Sequence, residues 1–140
     1  NFALFGKKDY QQFMLISKMA KDLCFPLGVL GCPTMRESDG LAMSSRNLRL
    51  KAEERALAPA LYKGMEAIAA AYESGKKNAE ELTRLFEEHL SHYPGFRPEY
   101  VEIRSRSDLK AFTKDVDQPA ELLIAAHLGN VRLIDNLEFG

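Results

Sequence analysis

Phe2-Ala3-Leu4-Phe5-Gly6-Lys7-Lys8-Asp9-Tyr10-Gln11-Gln12 is the stretch whose reading decides the fold. Four apolar residues run into a glycine, and beyond the polar turn Phe13, Ile16, Ala20 and Leu23 recur at helical spacing. The pattern is strand, tight turn, helix. A second apolar run, Leu27-Gly28-Val29-Leu30-Gly31-Cys32, completes half of a βαβ pattern that lacks the strands it should lie beside. This predicts the tail of a parallel sheet. Two lysines at a helix start oppose the macrodipole, which favours anions there. A bound phosphate answers that conflict, because ammonium groups and helix N–H groups would act on one anion. The alternative is that Lys7 and Lys8 are solvated and Asp9 caps the helix.

Working outward, the pattern changes near residue 34, which separates a first segment, residues 1–34, from a second, residues 35–140. The second opens with a polar loop carrying Met43-Ser44-Ser45-Arg46-Asn47, shortly after the turn signal Asp39-Gly40. Two hydroxyls and a guanidinium in one short segment offer an oxyanion several donors at once. The same residues are also ordinary in surface turns. A helical stretch is expected from about Ala52 to Ser74, broken or kinked at Pro59 and stopped at Gly75. Asn78 with Glu81 reads as a capping box, and Leu82, Leu85, Phe86 and Leu90 supply the buried face of the helix that follows. After Pro94-Gly95 the period falls to two. Val101 and Ile103 alternate with polar neighbours, and two further apolar runs flank the turn Gly129-Asn130. The expectation is a small α+β domain with a three-stranded antiparallel sheet and helices on one face.

Lys plus Arg number 19 against 20 for Asp plus Glu, so no basic field invites nucleic acid. No run is long and apolar enough to cross a membrane. Cys24 and Cys32 have neither metal-ligand spacing nor nearby histidines and are expected to be reduced, mostly buried thiols. His89 and His92 are expected to be solvated on a Glu-rich helix, and His127 to make a satisfied hydrogen bond, none of them holding a metal. Glu80-Glu81 and Glu87-Glu88 read as solvated helix faces.

Phe5–Gln12, Pro33–Glu37, Asp39–Asn47 and Arg132–Asn136 run in order across nearly the whole chain. Together they resemble the second half of the pantoate–β-alanine ligases, the pantothenate synthetase family. The resemblance implies that residues 1–34 are the C-terminal part of a Rossmann-like nucleotidylyl-transferase domain, an α/β tail, and that residues 35–140 are its α+β lid. It implies two steps: pantoate attacks the α-phosphorus of ATP and expels pyrophosphate, then β-alanine displaces AMP from the pantoyl adenylate. By matching positions, Lys8 would stabilise charge on the phosphates, Gly6 and Asp9 would hold the ribose, and Gln12 would bind pantoate. Ser44, Ser45 and Arg46 would grip the departing pyrophosphate. Met35 and Met43 would lie against the adenine, with core packing as the alternative for each. Lys7 departs from the family, which usually has Glu there, and receives no role.

The resemblance further implies ATP and Mg²⁺ as requirements, a homodimer when intact and a cytoplasmic location. A His-x-Gly-His segment, most of the pocket for pantoate and β-alanine, and the magnesium contacts would lie in a missing N-terminal half. On this reading the residues are a fragment carrying half a site, inactive alone. Two other readings are another nucleotidylyl-transferase superfamily enzyme and a non-catalytic α+β interaction module.

Overall fold

Phe2–Gly6 (β1) and Gly28–Cys32 (β2) form a parallel pair in the computed structural model, which describes residues 1–140. The register runs from Phe2 opposite Gly28 to Gly6 opposite Cys32, and Tyr10–Asp22 (α1) makes the crossover. Asp9 caps α1, its Oδ1 accepting from the Gln12 amide at 3.3 Å. The apolar periodicity is only partly buried. Tyr10 and Ala20 are covered and Phe13 and Ile16 half-covered, but Leu23 is exposed, which corrects the expectation that it shares the buried face. Two strands and one helix cannot cover both faces of the sheet, so Phe2 stays 74% and Leu4 68% exposed.

The expected burial of the two thiols is also corrected. Cys24 is exposed because the chain turns left-handed there (φ 52°) as it leaves α1, and Cys32 is half-buried at the end of β2; both are free.

The second sheet has the order Phe96–Ser105 (β3), Ala120–Leu128 (β4) and Val131–Phe139 (β5), all antiparallel. β3 starts earlier than its alternation suggests and absorbs Pro98 at a bulge between Pro98 and Tyr100, where an edge strand tolerates a residue without an N–H. Gly129, at φ 58°, makes the expected two-residue turn with Asn130 between β4 and β5. Pro59 does break the helical stretch, into Ala52–Leu57 (α2) and Ala60–Glu73 (α3). Gly75 ends it at φ 108°. Ala79–Ser91 (α4) follows, with Asn78 Oδ1 accepting from the Glu81 amide at 2.9 Å. Only that half of the capping box forms, because the Glu81 carboxylate turns instead to Lys76, 3.5 Å away. No helix is long and apolar enough to cross a membrane.

Strand alternation sends Leu122, Ile124, Ala126 and Leu128 of β4 into the main core, with Leu61, Met65 and Ile68 of α3 and Leu82, Phe86 and Leu90 of α4. Truncating Phe86 to Ala there would cost about 3–5 kcal/mol. The two helices meet closely at Gly64, where a Cβ would strike the rings of Phe86 and His89. His89 is therefore not solvated as expected. It is half-buried, and its Nε2 donates to the Ala60 carbonyl at 3.0 Å. His92 is exposed, and His127 meets Glu99 at 3.2 Å.

The other face of β4 is covered too, because the start of α1 lies against it. Glu121, Leu123 and Ala125 point that way and are all buried. Glu121 pairs poorly: its Oε2 has no hydrogen bond, and Arg106, 3.7 Å away, is engaged by Glu138. Burial pushes this carboxyl up to about 7, against the opposing pulls of Arg106 and Lys7 and with the help of Glu138. Its folded value therefore lies above the ordinary 4.5 of an exposed glutamate. The folded state binds the extra proton, so its stabilisation is complete below about 4.5 and is lost as pH rises through about 7.

Replacing Glu121 by Gln should remove that loss. Relative to the variant, the native chain should become less stable between pH 4 and pH 8 by up to about 3 kcal/mol, at about 1.4 kcal/mol per unit of pKa shift. Urea midpoints of both chains across that range check it; parallel stability curves would refute the assignment.

Candidate functional site

The site starts where β1 ends. Gly6 sits in the open, with nothing near the position a Cβ would take, and the chain then turns through Lys7 and Lys8 into the Asp9 cap. The Lys7 amide still donates to Cys32 O of β2 at 2.8 Å, so the turn is anchored to the sheet. The two lysines diverge. Lys7 runs over Gly31 of β2 and, with Thr34, Glu121 and Asn136, lines a small polar cavity of about 190 Å³. Lys8 goes the other way and donates from Nζ to Met43 O at 3.3 Å.

The polar loop is built as a narrow antiparallel hairpin. The Met43 amide donates to Met35 O at 2.9 Å, Arg36 bridges Ala42, and the Glu37 amide donates to Leu41 O at 2.8 Å. Gly40 closes it at φ 92°, over the Tyr62 ring. Asp39 Oδ1 accepts from the Leu41 amide at 3.2 Å while its Oδ2 holds Arg55 at 2.6 Å. Leu41 and Ala42 are buried, and so the middle of the hairpin is tethered while its ends face outward. Ser44 caps the single 3₁₀ turn Ser45–Arg49, its Oγ accepting from the Arg46 amide at 3.3 Å. Asn47 Nδ2 donates back to Ala42 O at 3.0 Å. The side chains of Ser45 and Arg46 are exposed and make no hydrogen bond.

Lys8 is half-buried, and burial first of all lowers its pKa. Asp135 pulls it back up, whereas Arg46 and Arg36 push it down further. Three cations thus share a neighbourhood with one carboxylate, and that carboxylate is already taken by both arms of Arg36, at 2.7 and 3.0 Å. Lys8 and Arg46 repel each other, and the one carboxylate that acts on Lys8, Asp135, is shared with Arg36. A polyanion such as a triphosphate would relieve the repulsion among these cations, the chemistry expected of groups that donate to phosphate.

Of the residues singled out in the sequence, the structure brings together Lys8, Met43 and Arg46, with Asp9 at the adjoining helix start. Met35 and Met43 are 69% and 45% exposed, so core packing is not their role. Gln12 lies exposed on the first turn of α1 and touches none of the loop. Ser44 spends its oxygen on its own turn. Three residues were missed as parts of the site: Arg36, Asp135 and Asn136. They lay in the recognised segments, but their only signal was polarity within an otherwise apolar strand and loop. No group of three or more His, Cys, Asp or Glu side chains is placed to hold a metal ion.

A model of the pantoate-beta-alanine ligase family matches residues 1–138. The pantothenate synthetase of Rhodopseudomonas palustris is 47% identical over 135 residues, which are 96% of this chain and 47% of that protein. The crystal structure of pantothenate synthetase from Thermus thermophilus superposes with a TM-score of 0.90 at 41% identity, over 99% of this chain and 50% of that one. A pantoate-beta-alanine ligase from Francisella tularensis, complexed with beta-gamma ATP and beta-alanine, aligns with a TM-score of 0.65 at 30% identity, over 98% of this chain and 43% of that one. The chain spans about half the length of the curated relatives it matches. With nearly every residue matched, the chain belongs to the pantoate-beta-alanine ligase family.

Proposed function

We propose that this chain is the C-terminal half of an ATP-dependent ligase that joins pantoate to β-alanine. The observation that carries the reading is the crowding of Lys8, Arg46 and Arg36 around a single carboxylate beside the start of α1, within reach of two exposed methionines. Residues 1–34 serve as the end of the nucleotide-binding domain and residues 35–140 as its lid. In the first step a pantoate carboxylate oxygen bonds to the α-phosphorus of ATP as the bond to pyrophosphate breaks. In the second the β-alanine amine attacks the carbonyl of the mixed anhydride, AMP leaves, and the amine gives up a proton.

Both steps need positioning and charge stabilisation more than a protein nucleophile. Lys8 meets the phosphate oxygens, and its three N–H donors exchange Met43 O for oxyanions as the ligand arrives. Arg46 with Ser45 and Ser44 receives the departing pyrophosphate. Gly6 leaves room for the ribose beside Asp9, and Gln12, free on the first turn of α1, points a side-chain amide at pantoate. Met35 and Met43 offer unbranched, polarisable side chains to the flat adenine. Mg²⁺ would be held through the triphosphate oxygens, since no group of three or more His, Cys, Asp or Glu side chains here is placed to hold it, and would neutralise part of the phosphate charge. The intact enzyme works as a homodimer in the cytoplasm, and its N-terminal half supplies the rest of the pocket.

Arg46→Ala in the full-length enzyme should slow adenylation by ~10²- to 10³-fold, the loss expected on removing one charged donor to a developing anion. Single-turnover measurement of pantoyl adenylate reads it, and an unchanged rate would refute the phosphate role. Lys8→Ala should depress the adenylation rate far more than it raises the KM for pantoate, since the charge it answers grows in the transition state. Lys7→Gln should lose little rate, because that lysine faces Glu121 rather than the loop. Equal damage from the two substitutions would mean a diffuse basic patch. The 140 residues alone should release no AMP from ATP, pantoate and β-alanine. Turnover by them would overturn the division of the site between two halves.

A further inference from the structure

Asp135 and Asn136 are adjacent on β5 and both buried, 3% and 7% exposed. Because side chains alternate along a strand, they leave the sheet on opposite faces. Asp135 lies opposite Ile124, on the side of α3 and α4; Asn136 lies opposite Leu123, on the side of β1 and α1. Each holds a different half of the candidate site. Asp135 takes both arms of Arg36, and Arg36 also donates to Gly40 O at 3.1 Å and to Asn136 O at 3.3 Å, with its guanidinium 3.9 Å above the Tyr62 ring. That locks the stem of the hairpin that ends at Met43. Asn136 gives the two hydrogens of Nδ2 to Lys7 O at 2.6 Å and Lys8 O at 2.7 Å. Those carbonyls belong to the turn that aims the Lys8 side chain.

We propose that Asp135 and Asn136 are positioning residues of the ligase site, a two-sided clasp that fixes Lys8 relative to the phosphate loop. Neither touches a substrate. They act through Arg36 and through the backbone of Lys7 and Lys8. The proposal rests on the ligase reading given above, and it adds that the spacing between Lys8 and Met43 is set from β5 and not by the loop itself. An error of about 1 Å in such spacing can cost ~10²-fold in rate.

The test uses the full-length enzyme and pantoate-dependent exchange of labelled pyrophosphate into ATP. Asn136→Asp keeps the shape but points an oxygen at two carbonyls; Asp135→Asn keeps the shape and removes the charge that holds Arg36. Each should lower the exchange rate by ~10²-fold with the KM for pantoate within about threefold of native, in protein whose near-UV circular dichroism is native. Where either variant lacks the native spectrum, Asn136→Ser and Arg36→Lys are measured in its place; Arg36→Lys keeps the charge and loses the two-armed geometry. Native exchange rates in variants that fold, or losses that merely follow the folded fraction, would overturn the clasp. Lys8→Ala in the same assay separates the two levels. If it abolishes exchange while the clasp variants are native, only the positioning proposal fails. If it leaves exchange intact, the phosphate role of Lys8 fails and takes the clasp with it, whereas absence of pantoate-dependent exchange in the native full-length enzyme would refute the ligase reading itself.

Discussion

The ion pair between Arg36 and Asp135 is the interaction on which the arrangement of this chain depends. A buried pair is costly to desolvate and becomes tolerable only when every remaining donor and acceptor is engaged. Here both terminal nitrogens of Arg36 and both oxygens of Asp135 are engaged. Asp135 accepts both arms of Arg36 and also the Asn136 amide at 2.8 Å, while Arg36 finds two backbone carbonyls and an aromatic face. Burial pushes the Asp135 carboxyl up, and the Arg36 guanidinium opposes that rise. Removing one partner would leave the other buried and alone, at a cost of about 3–5 kcal/mol. The pair ties together the polar hairpin, the last strand of the antiparallel sheet, and α3 through Tyr62.

The loop is held by its middle and left free at its ends. Leu41 and Ala42 are inserted into the apolar interior, and the stem is tied to β5, yet Met35, Met43, Arg46 and Leu48 remain exposed. This division separates the groups that maintain shape from those available to a ligand. The same separation operates between neighbours in the chain, since Lys7 is committed to the cavity beside Glu121 and Lys8 to the loop. A strand-to-helix turn three residues long is enough to send two like charges in different directions.

The strands, the helices and their limits were largely legible, because each carries a local signal. Pro59, Gly75 and Gly129-Asn130 are breaks with a stereochemical cause, and the continuous run Leu122–Ala126 marks a central strand buried on both faces. What escaped was whatever depends on a distant partner. Nothing near His89 in sequence reveals that Gly64 lets its ring settle against α3, and nothing near Cys24 reveals that the chain turns left-handed there. Lys8, Ser44 and Arg46 could be singled out because donors clustered within a few residues. Arg36 and Asp135 could not, since their meaning arises only when residues 99 apart come together.

That separation has a kinetic consequence. Helices α3 and α4, helix α4 and strand β3, and strands β4 and β5 are joined by short connections, so their contacts close small loops of chain. The Arg36 contact closes a loop of 99 residues and, with each doubling of loop length adding about 0.6 kcal/mol of entropy cost, becomes favourable only after the intervening elements have shortened the path. The polar hairpin is therefore expected to acquire its shape late in folding. A chain whose sheet has formed but whose hairpin has not yet reached β5 already has its main core and still lacks the contact between Arg36 and Asp135.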